Sequence, residues 1–310
     1  MRGGILLTVS AALAAARLAV PATPAPTPTT ATVPAWAFPG PQSSGVPGSS
    51  RAFSETAIFD RIRPVDWFPD DHPPAPDAVK GRAQNFACGY CHAPDGGGRP
   101  ENAALAGLPE SYIVRLLVDM KSGARSYDTH FTSGVNMVLV ANLSSAEDVR
   151  ASAKYFAGLT YRKRLKVVEA RDIPRATANS VYFFDTGGAR EPLGQRIVEG
   201  PDDAERFRRR DPHVTYTAYV PPGAIARGAA LARGQAGQPA CDSCHGAGLR
   251  GGPDAPPLAG RFATAQFRQL YDFQNGLRGG PEAERMRPAV AGLLQSDLIA
   301  LAAYAASLEP

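Results

Sequence analysis

Apolar residues recur at helical spacing in two separate stretches of the chain. In the first stretch the spacing predicts helices over 78–87, 110–121 and 145–158. In the second it predicts helices over 224–234, 263–275 and 295–308, the last with one continuous apolar face. The residues of that face are Leu298, Leu301, Ala302, Ala305 and Leu308. Two groups of three helices therefore form the framework of the predicted fold.

Between these two groups the pattern changes to short runs that favour strands. The runs cover 165–169, 181–185, 196–199 and 214–220, and they are rich in β-branched and aromatic residues. The predicted fold class is accordingly mainly α. It consists of two tandem helical domains, at 78–160 and 224–310, with a small strand-containing connector at 161–223.

The first residues have the composition of a secretory signal peptide, which we place at 1–20. Arg2 supplies a positive start, residues 5–16 are apolar, and Ala14, Ala15 and Ala16 offer a small-residue cleavage site. A membrane-spanning helix needs roughly 20 apolar residues, and neither this run nor any later one is long enough. We therefore expect an exported protein with no transmembrane span after signal removal. An uncleaved anchor is the alternative.

Two further segments precede the first helical domain. Residues 21–50 are rich in Pro, Ala, Thr, Ser and Gly and carry almost no charge, which predicts a flexible tether. Residues 51–77 form an aromatic and proline-rich arm that we expect to pack along the first helical domain. The net charge of +4 is mild and mixed along the chain, which argues against nucleic acid as a partner.

All four cysteines stand in two copies of one motif, C-x-x-C-H. The copies consist of Cys88, Cys91 and His92, and of Cys241, Cys244 and His245. Two thiols at this spacing form thioethers to one porphyrin, and the histidine then binds the iron. A four-thiolate zinc site or two redox disulfides are the alternatives. The cysteine pairs lie 153 positions apart, and neither alternative explains a histidine after each pair. We therefore predict two covalently bound haem c groups.

The two motifs lie inside a longer internal repeat. A shift of 153 positions carries Cys88 onto Cys241 and residues 105–107 onto 258–260. Further along the chain the shift becomes 149, because four residues are missing from a loop of the second copy. Self-similarity over such a period indicates two copies of one domain.

Methionine is the residue type that we expect as the second axial ligand of each iron, because its thioether is a soft ligand that favours ferrous iron. The repeat aligns Met137 with Met286, each in a predicted loop between helices, and we assign them to the first and second haem. Either methionine could instead be a flexible core residue. His130, shortly before Met137, is the rival ligand of the first iron.

Arg125 and Arg278 are also equivalent in the repeat. Each follows a glycine, Gly123 or Gly276, at which a helix is expected to end in a left-handed turn. A guanidinium group binds a carboxylate with two hydrogen bonds, so these arginines are candidates for contacts with the haem propionates. The alternative is a solvated cap on the helix end.

Two more aligned pairs are predictions about packing. Leu105 and Leu258 are expected on the haem face of each domain. Gly81 and Gly228 are expected where the first and last helices cross closely, against the tyrosines of the closing helices.

Together the two copies resemble dihaem cytochromes of the c4 type. The shared features are two C-x-x-C-H motifs, L-A-G, a helix that ends in G-x-R, a distal methionine and a closing helix with A-x-Y. Copy one departs from this pattern, with Ala104 where Pro257 stands and a longer ligand loop. The resemblance implies cytochrome c-like domains in which a backbone carbonyl near the proline holds the haem histidine. Ala104 could supply that carbonyl in copy one.

The predicted function is electron transport in the periplasm by an electron carrier that is not itself an enzyme. His/Met ligation at both irons would leave no open site for a substrate. The expected partners are redox proteins: a donor dehydrogenase or cytochrome complex, and an acceptor oxidase or reductase. One alternative is a haem-bearing subunit of a periplasmic dehydrogenase or oxidase complex, with the connector and the arm as its assembly surface. A dihaem peroxidase-like enzyme is the other alternative, and it would need one open or low-potential iron.

Overall fold

The computed structural model describes residues 43–81, 85–127, 132–234, 239–253 and 255–310, the side chain of Thr132 excepted. The predicted signal peptide and His130 lie outside the described residues. The described helices are α1 (Glu55–Ile58), α2 (Asp77–Lys80), α3 (Cys88–His92), α4 (Glu110–Ser122), α5 (Thr132–Leu143), α6 (Ala146–Ala157), α7 (Ala204–Arg208), α8 (Ala224–Ala232), α9 (Asp242–His245), α10 (Ala263–Gln274), α11 (Ala283–Val290) and α12 (Gln295–Ser307).

Most of the strands lie between the two helical groups. They are β1 (Ser43–Ser44), β2 (Phe53–Ser54), β3 (Leu165–Glu169), β4 (Asp172–Pro174), β5 (Ala176–Asn179), β6 (Val181–Phe184), β7 (Arg190–Pro192), β8 (Val198–Pro201) and β9 (Tyr216–Val220). β9 is the centre of a three-stranded sheet, parallel to β3 and antiparallel to β8. β1 and β2, β4 and β7, and β5 and β6 form separate antiparallel pairs. The predicted class, mainly α with a strand-containing connector, is confirmed.

The first helical group has its core between α4 and α6, with α5 packed beside α4. Ile113, Ala153 and Phe156 are buried in that core, together with Val79 of α2. α6 begins at a capping box, in which the Ser145 hydroxyl accepts from the N–H of Asp148. α4 ends at Gly123, whose φ of 78° is left-handed, as the sequence predicts.

In the second group α12 is the central helix, because α8, α10 and β3 all pack against it. Its buried side chains lie on most of its circumference, as expected of a helix surrounded by protein. Gly228 of α8 lies directly on α12, since a Cβ atom there would come within 2.0 Å of the Ala300 carbonyl oxygen. The predicted close crossing at Gly228, against Tyr304, is confirmed.

The equivalent prediction for Gly81 is wrong. Gly81 ends α2 with a φ of 130°, and a Cβ there would meet the Ile62 carbonyl oxygen of the arm at 2.2 Å. The close approach to α2 is made by Gly89, 2.7 Å from the Val79 carbonyl oxygen by the same measure. The helix predicted over 78–87 is correspondingly short, because a backbone with this φ cannot continue a helix.

The connector packs its sheet onto the second helical group. Leu165, Phe207 and Tyr216 of the connector share a buried cluster with Phe262 and Ala263 at the start of α10. Glu199 of β8 is completely buried, and its carboxylate accepts the backbone N–H groups of Ala263 and Thr264, each at 3.0 Å. A carboxylate at a helix N-terminus satisfies free N–H groups and opposes the positive end of the helix dipole. The connector therefore fixes where α10 begins.

The arm packs on the connector as well as on the first helical group. Trp67 is only 2% exposed, and its indole N–H donates to the Arg209 carbonyl oxygen at 2.8 Å. His72 accepts or donates a hydrogen bond with the Tyr155 hydroxyl of α6 at 3.0 Å. Residues 43–50 pack here too, because Val46 is buried in the Trp67 cluster. The prediction that residues 21–50 are flexible is therefore wrong for residues 43–50.

The two helical groups meet through equivalent residues of the repeat. Arg125 and Arg278 form an antiparallel backbone bridge with each other. Two hydrogen bonds flank it, from Ser126 N–H to Leu277 O (2.8 Å) and from Gly279 N–H to Ala124 O (2.6 Å). A contact in which each copy presents the same segment to the other is isologous, as in a two-fold dimer.

Among the described residues, no single helix has the length and apolar character to cross a membrane. The pair α11 and α12 meets both criteria when taken together, but it bends by 116° at the break between the two helices.

Candidate functional site

The first C-x-x-C-H motif is a single helical turn at the wall of a large cavity. Cys88, Cys91 and His92 belong to α3, and all three line a cavity that encloses about 1100 Å³ free of protein atoms. Met137 and Arg125 line the same cavity. The structure thus brings all five predicted site residues of the first domain together around one cavity.

Both motif histidines are held by a backbone carbonyl at one ring nitrogen. His92 Nδ1 lies 2.7 Å from the Ala103 oxygen, and His245 Nδ1 lies 2.8 Å from the Pro256 oxygen. A carbonyl oxygen only accepts, so Nδ1 carries the proton and Nε2 keeps its lone pair for a metal. Burial lowers the pKa of both histidines, which favours the neutral form that ligates metals.

The second histidine also tests whether a haem fits its site. His245 Nε2 is buried and has no hydrogen-bond partner within the part of the chain that the structure describes. An unsatisfied buried nitrogen is costly, and coordination to a metal would satisfy it. The residues around the second motif therefore fit a haem iron at this nitrogen.

The carbonyl that the c4 resemblance implies is present in both copies, one residue earlier than expected in copy one. Ala103 supplies it there, and the expectation for Ala104 is wrong. The Ala104 oxygen instead accepts from the Arg261 guanidinium of the second helical group at 2.9 Å. Proline is thus not required for this contact, because the loop after the motif presents the carbonyl in either case.

Both predicted methionine ligands lie on helices, so the prediction that they lie in loops is wrong. Met137 belongs to α5 and lines the first cavity. Met286 belongs to α11 and packs against an apolar cluster that contains Phe273 and Val290. Leu105 lines the first cavity as predicted.

The two motifs differ in exposure and in thiol environment. Burial raises the pKa of the Cys88 and Cys91 thiols. Burial also raises the pKa of Cys241, but Cys244 is exposed to solvent. The first attachment loop is therefore embedded in protein, and the second lies at the surface.

Arg125 and Arg278 are buried, which excludes the solvated-cap alternative for both. Arg125 and Arg278 donate to the same Gln269 side-chain oxygen, at 2.8 and 2.9 Å. Arg125 also lines the first cavity, and its Nε is buried without a hydrogen-bond partner among the described residues. The Arg278 guanidinium lies over the Phe273 ring, 4.1 Å from the centroid. Arg125 can therefore offer a free donor to an anionic group in the cavity.

Sequence reasoning missed that α10 of the second group closes the first cavity. Ala265, Arg268 and Gln269 all contribute to its wall. Arg268 also donates to the Pro100 carbonyl oxygen at 2.6 Å, across the boundary between the two groups. The repeat aligns Arg268 with Arg115, so the sequence singles out the residue but not its partner, since that contact spans 168 positions.

The chain is similar in sequence to known c-type cytochromes. Cytochrome c4 of Pseudomonas aeruginosa is 28% identical over 237 residues, which cover 74% of this chain and 88% of that protein. Cytochrome c-554(548) of Halomonas halodenitrificans is 36% identical over 70 residues, 22% of this chain and 84% of that protein. No family model matches the chain.

Among solved structures, thiosulfate dehydrogenase (TsdBA) from Marichromatium purpuratum aligns with a TM-score of 0.48 and 26% identity. The alignment covers 72% of this chain, which spans only 37% of the length of that enzyme chain.

Helical domains with C-x-x-C-H turns, in which a backbone carbonyl binds each motif histidine, are typical of proteins that attach haem c covalently. The chain belongs to the c-type cytochromes, and it resembles the dihaem cytochrome c4 family over three quarters of its length. The cytochrome c4 relatives are electron carriers rather than enzymes. The resemblance that the motifs predict is confirmed.

Proposed function

We propose that the chain holds two haem c groups, one in each helical domain, and carries electrons between redox proteins of the periplasm. The domains are those expected from the sequence, 78–160 and 224–310, with the connector at 161–223. The observation that supports this most directly is the single cavity shared by Cys88, Cys91, His92 and Met137.

The ligands proposed for each haem follow the repeat. Thioethers form at Cys88 and Cys91 in the first domain, with His92 and Met137 as axial ligands. Their equivalents in the second domain are Cys241, Cys244, His245 and Met286. When bound, haem iron supplies one-electron cycling between ferric and ferrous states.

The protein's own residues orient and enclose the two sites. The Ala103 and Pro256 carbonyls fix the ring orientation and tautomer of the two histidines. Met137 and Met286 would each offer the iron a thioether, a soft ligand that favours the ferrous state. With both axial positions occupied by side chains, small ligands are excluded, which supports a carrier over a peroxidase-like enzyme.

One exposed apolar face supports direct docking of a protein partner at the first domain. Val135, Leu139 and Leu143 are exposed on α5, at the four-residue spacing that places them on one side. Met137 lies on the same helix and lines the haem cavity. Contiguous exposed apolar groups mark interaction sites. The redox partners themselves are a donor dehydrogenase or cytochrome complex and an acceptor oxidase or reductase.

The same exposed face favours a second candidate, a haem-bearing subunit of a periplasmic dehydrogenase or oxidase complex. Isolation of the native protein under mild conditions separates the two proposals. A free monomer favours the mobile carrier, whereas stable co-purification with a catalytic subunit favours the complex. The predicted signal peptide supports export in either case.

The test uses Met137→Ala and Met286→Ala in the full haem-loaded protein. Each change should abolish the sulfur-to-iron absorption band of one ferric haem and lower one of two reduction potentials. Met120→Leu is the matched control, because Met120 also lines the first cavity but aligns with a phenylalanine in the repeat. An unaltered spectrum after either alanine change would disprove that ligand assignment.

A further inference from the structure

A second cavity lies on the connector side of the first domain. It encloses about 980 Å³ free of protein atoms, and three arginines line it: Arg99, Arg208 and Arg210. Polar groups of the β5–β6 hairpin, at residues 177–180, form the opposite wall and are exposed to solvent. We refer to this space as the arginine cavity.

Each of the three guanidinium groups is stacked on an aromatic ring. The centroid distances are 4.3 Å for Arg99 on Phe207, 5.3 Å for Arg208 on Phe183 and 3.4 Å for Arg210 on Tyr90. Backbone carbonyls fix two of them further, since Arg99 donates to the Phe207 oxygen and Arg210 to the Tyr90 oxygen. Stacking and hydrogen bonding hold the guanidinium planes in place, so little side-chain entropy remains to be lost on binding.

The charge that lines the arginine cavity is not balanced. Glu101 lies in its wall, 3.8 Å from Arg99, and Glu205 lies beside it, 3.9 Å from Arg208. Three guanidinium groups thus have two carboxylates nearby. Two polar atoms at this wall, Glu101 Oε2 and Arg210 Nε, are buried with no hydrogen-bond partner among the described residues. The backbone of Arg210 is left-handed, with a φ of 59°. This conformation is strained for any residue other than glycine. A preorganised set of three guanidinium groups that keeps a net positive charge favours an anion with several oxygen atoms.

The arginine cavity adjoins the first haem site. Glu101 lines both cavities, and Tyr90, on which Arg210 stacks, lies within the first C-x-x-C-H turn. Resting on the function proposed above, we propose that the arginine cavity binds a small multivalent carboxylate or oxyanion, and that the bound anion favours the ferric state of the iron at His92.

The direction of this effect follows from charge. Ferric iron carries one more positive charge than ferrous iron, so a nearby anion stabilises the ferric state and lowers the reduction potential. Linkage is reciprocal, so the ferric protein must bind the anion more tightly by the same factor. A fivefold difference in affinity, converted at about 59 mV per tenfold for one electron, lowers the potential by about 40 mV.

The test measures binding and potential separately in the full haem-loaded protein. Succinate is titrated by calorimetry into the ferric and the ferrous protein, with chloride at equal ionic strength as the reference. Both potentials are then measured with and without succinate. We expect saturable binding, about fivefold tighter to the ferric protein, and a lowered potential of the first haem alone.

Two variants separate this site from general surface charge. Arg208→Gln removes an exposed guanidinium of the arginine cavity and should weaken succinate binding at least fivefold. Arg171→Gln removes an exposed arginine of the same connector outside the cavity and should leave both readouts unchanged. Because Arg208 is exposed, the loss of its charge is not expected to unfold the protein.

Each other outcome counts against the proposal. No saturable binding, or equal weakening by both variants, would overturn the site. Binding without a change in potential, or an equal change at both haems, would overturn the link to the first iron. None of these results depends on the sulfur-band assays of the methionine variants, so the function proposed above is tested independently.

Discussion

The two copies of the C-x-x-C-H motif have the same cysteines and histidine but different surroundings. In the first copy Tyr90 lies beneath Arg210 of the connector, and α10 of the second group closes the cavity. In the second copy Ser243 and Cys244 are exposed to solvent. The connector and the arm both pack over the first copy, through Arg210 and through His72. These parts of the chain are not repeated.

The comparison distinguishes what the repeated residues contribute from what the unrepeated parts of the chain contribute. The repeat supplies the thiols, the histidines and the carbonyls that hold them. The parts that occur once supply burial and nearby charge at the first site. Burial and nearby charge both act on the reduction potential of a haem. Two sites with equal ligands can thus differ in potential without any change in the repeated residues.

The largest expected effect comes from Gly228→Ala, which tests whether the second group depends on its own helix crossing. A Cβ at this position would lie 2.0 Å from the Ala300 oxygen and 2.7 Å from the Tyr304 Cβ, so α8 and α12 must separate. We expect a loss of about 3 kcal/mol in the free energy of unfolding, measured by denaturant titration.

The control for this change is Gly276→Ala. Gly276 has a left-handed φ of 70°, unlike the helical Gly228, and a Cβ there would meet nothing within 4 Å. Only backbone strain of about 1 kcal/mol is then expected. Equal losses for the two variants would show that α8 and α12 do not pack as closely as described.

A smaller effect is expected from Arg210→Gln, which uncovers the first attachment turn. The change removes a guanidinium stacked 3.4 Å from the Tyr90 ring and its 2.6 Å hydrogen bond to the Tyr90 oxygen. We expect the free energy of unfolding to fall by about 2 kcal/mol. Denaturant titration monitored by haem absorbance measures this loss.

Arg250→Gln is the matched control near the second motif. Arg250 is exposed and makes a 3.3 Å hydrogen bond to the Glu309 oxygen. Its removal should change stability by less than about 0.5 kcal/mol. A larger loss of unfolding free energy for Arg250→Gln than for Arg210→Gln would show that the first attachment turn does not depend more on its arginine than the second.

The smallest expected effect is a pH dependence of arm docking on the first domain. His72 Nε2 lies 3.5 Å from Asp66, and hydrogen bonding to this carboxylate raises the pKa of His72 above 6.5. A raised pKa in the folded state means that its stabilisation is complete below pH 6.5. It is lost as the pH rises through the folded-state pKa.

Amide hydrogen exchange of residues 66–72 measures this effect, with α12 in the same samples as the internal reference. After correction for intrinsic exchange, protection of the arm should be lower at pH 9 than at pH 6. His72→Gln should remove most of that difference. Equal protection at both pH values in the unaltered protein would argue against the pairing of His72 with Asp66.

Local patterns in the sequence predict much of the fold. The bounds of α4, α6, α8, α10 and α12 lie within two residues of those expected from apolar spacing. Four strands of the connector lie on the predicted runs. Such elements follow from neighbouring residues alone, and so do the left-handed glycines that end α4 and follow α10.

α5 and α11 could not be predicted in this way, because each contains a residue that disfavours a helix. Gly134 lies in α5, where a Cβ would come within 2.3 Å of the Tyr127 ring. Pro288 lies in α11, between buried Ala283 and Val290. Tertiary packing outweighs local propensity at both helices. The contacts of Arg210 and Arg268 with the first domain span 120 and 168 positions, and no local pattern contains them.

The isologous bridge at Arg125 and Arg278 has a consequence for how this chain could diversify. Because the bridge is formed by the two repeated halves themselves, the connector is not part of this contact. A joining segment outside this contact can carry strands, aromatic side chains and charges of its own without altering the bridge. Sequence changes in the connector can therefore alter the surroundings of the first haem site without changes in the two repeated domains.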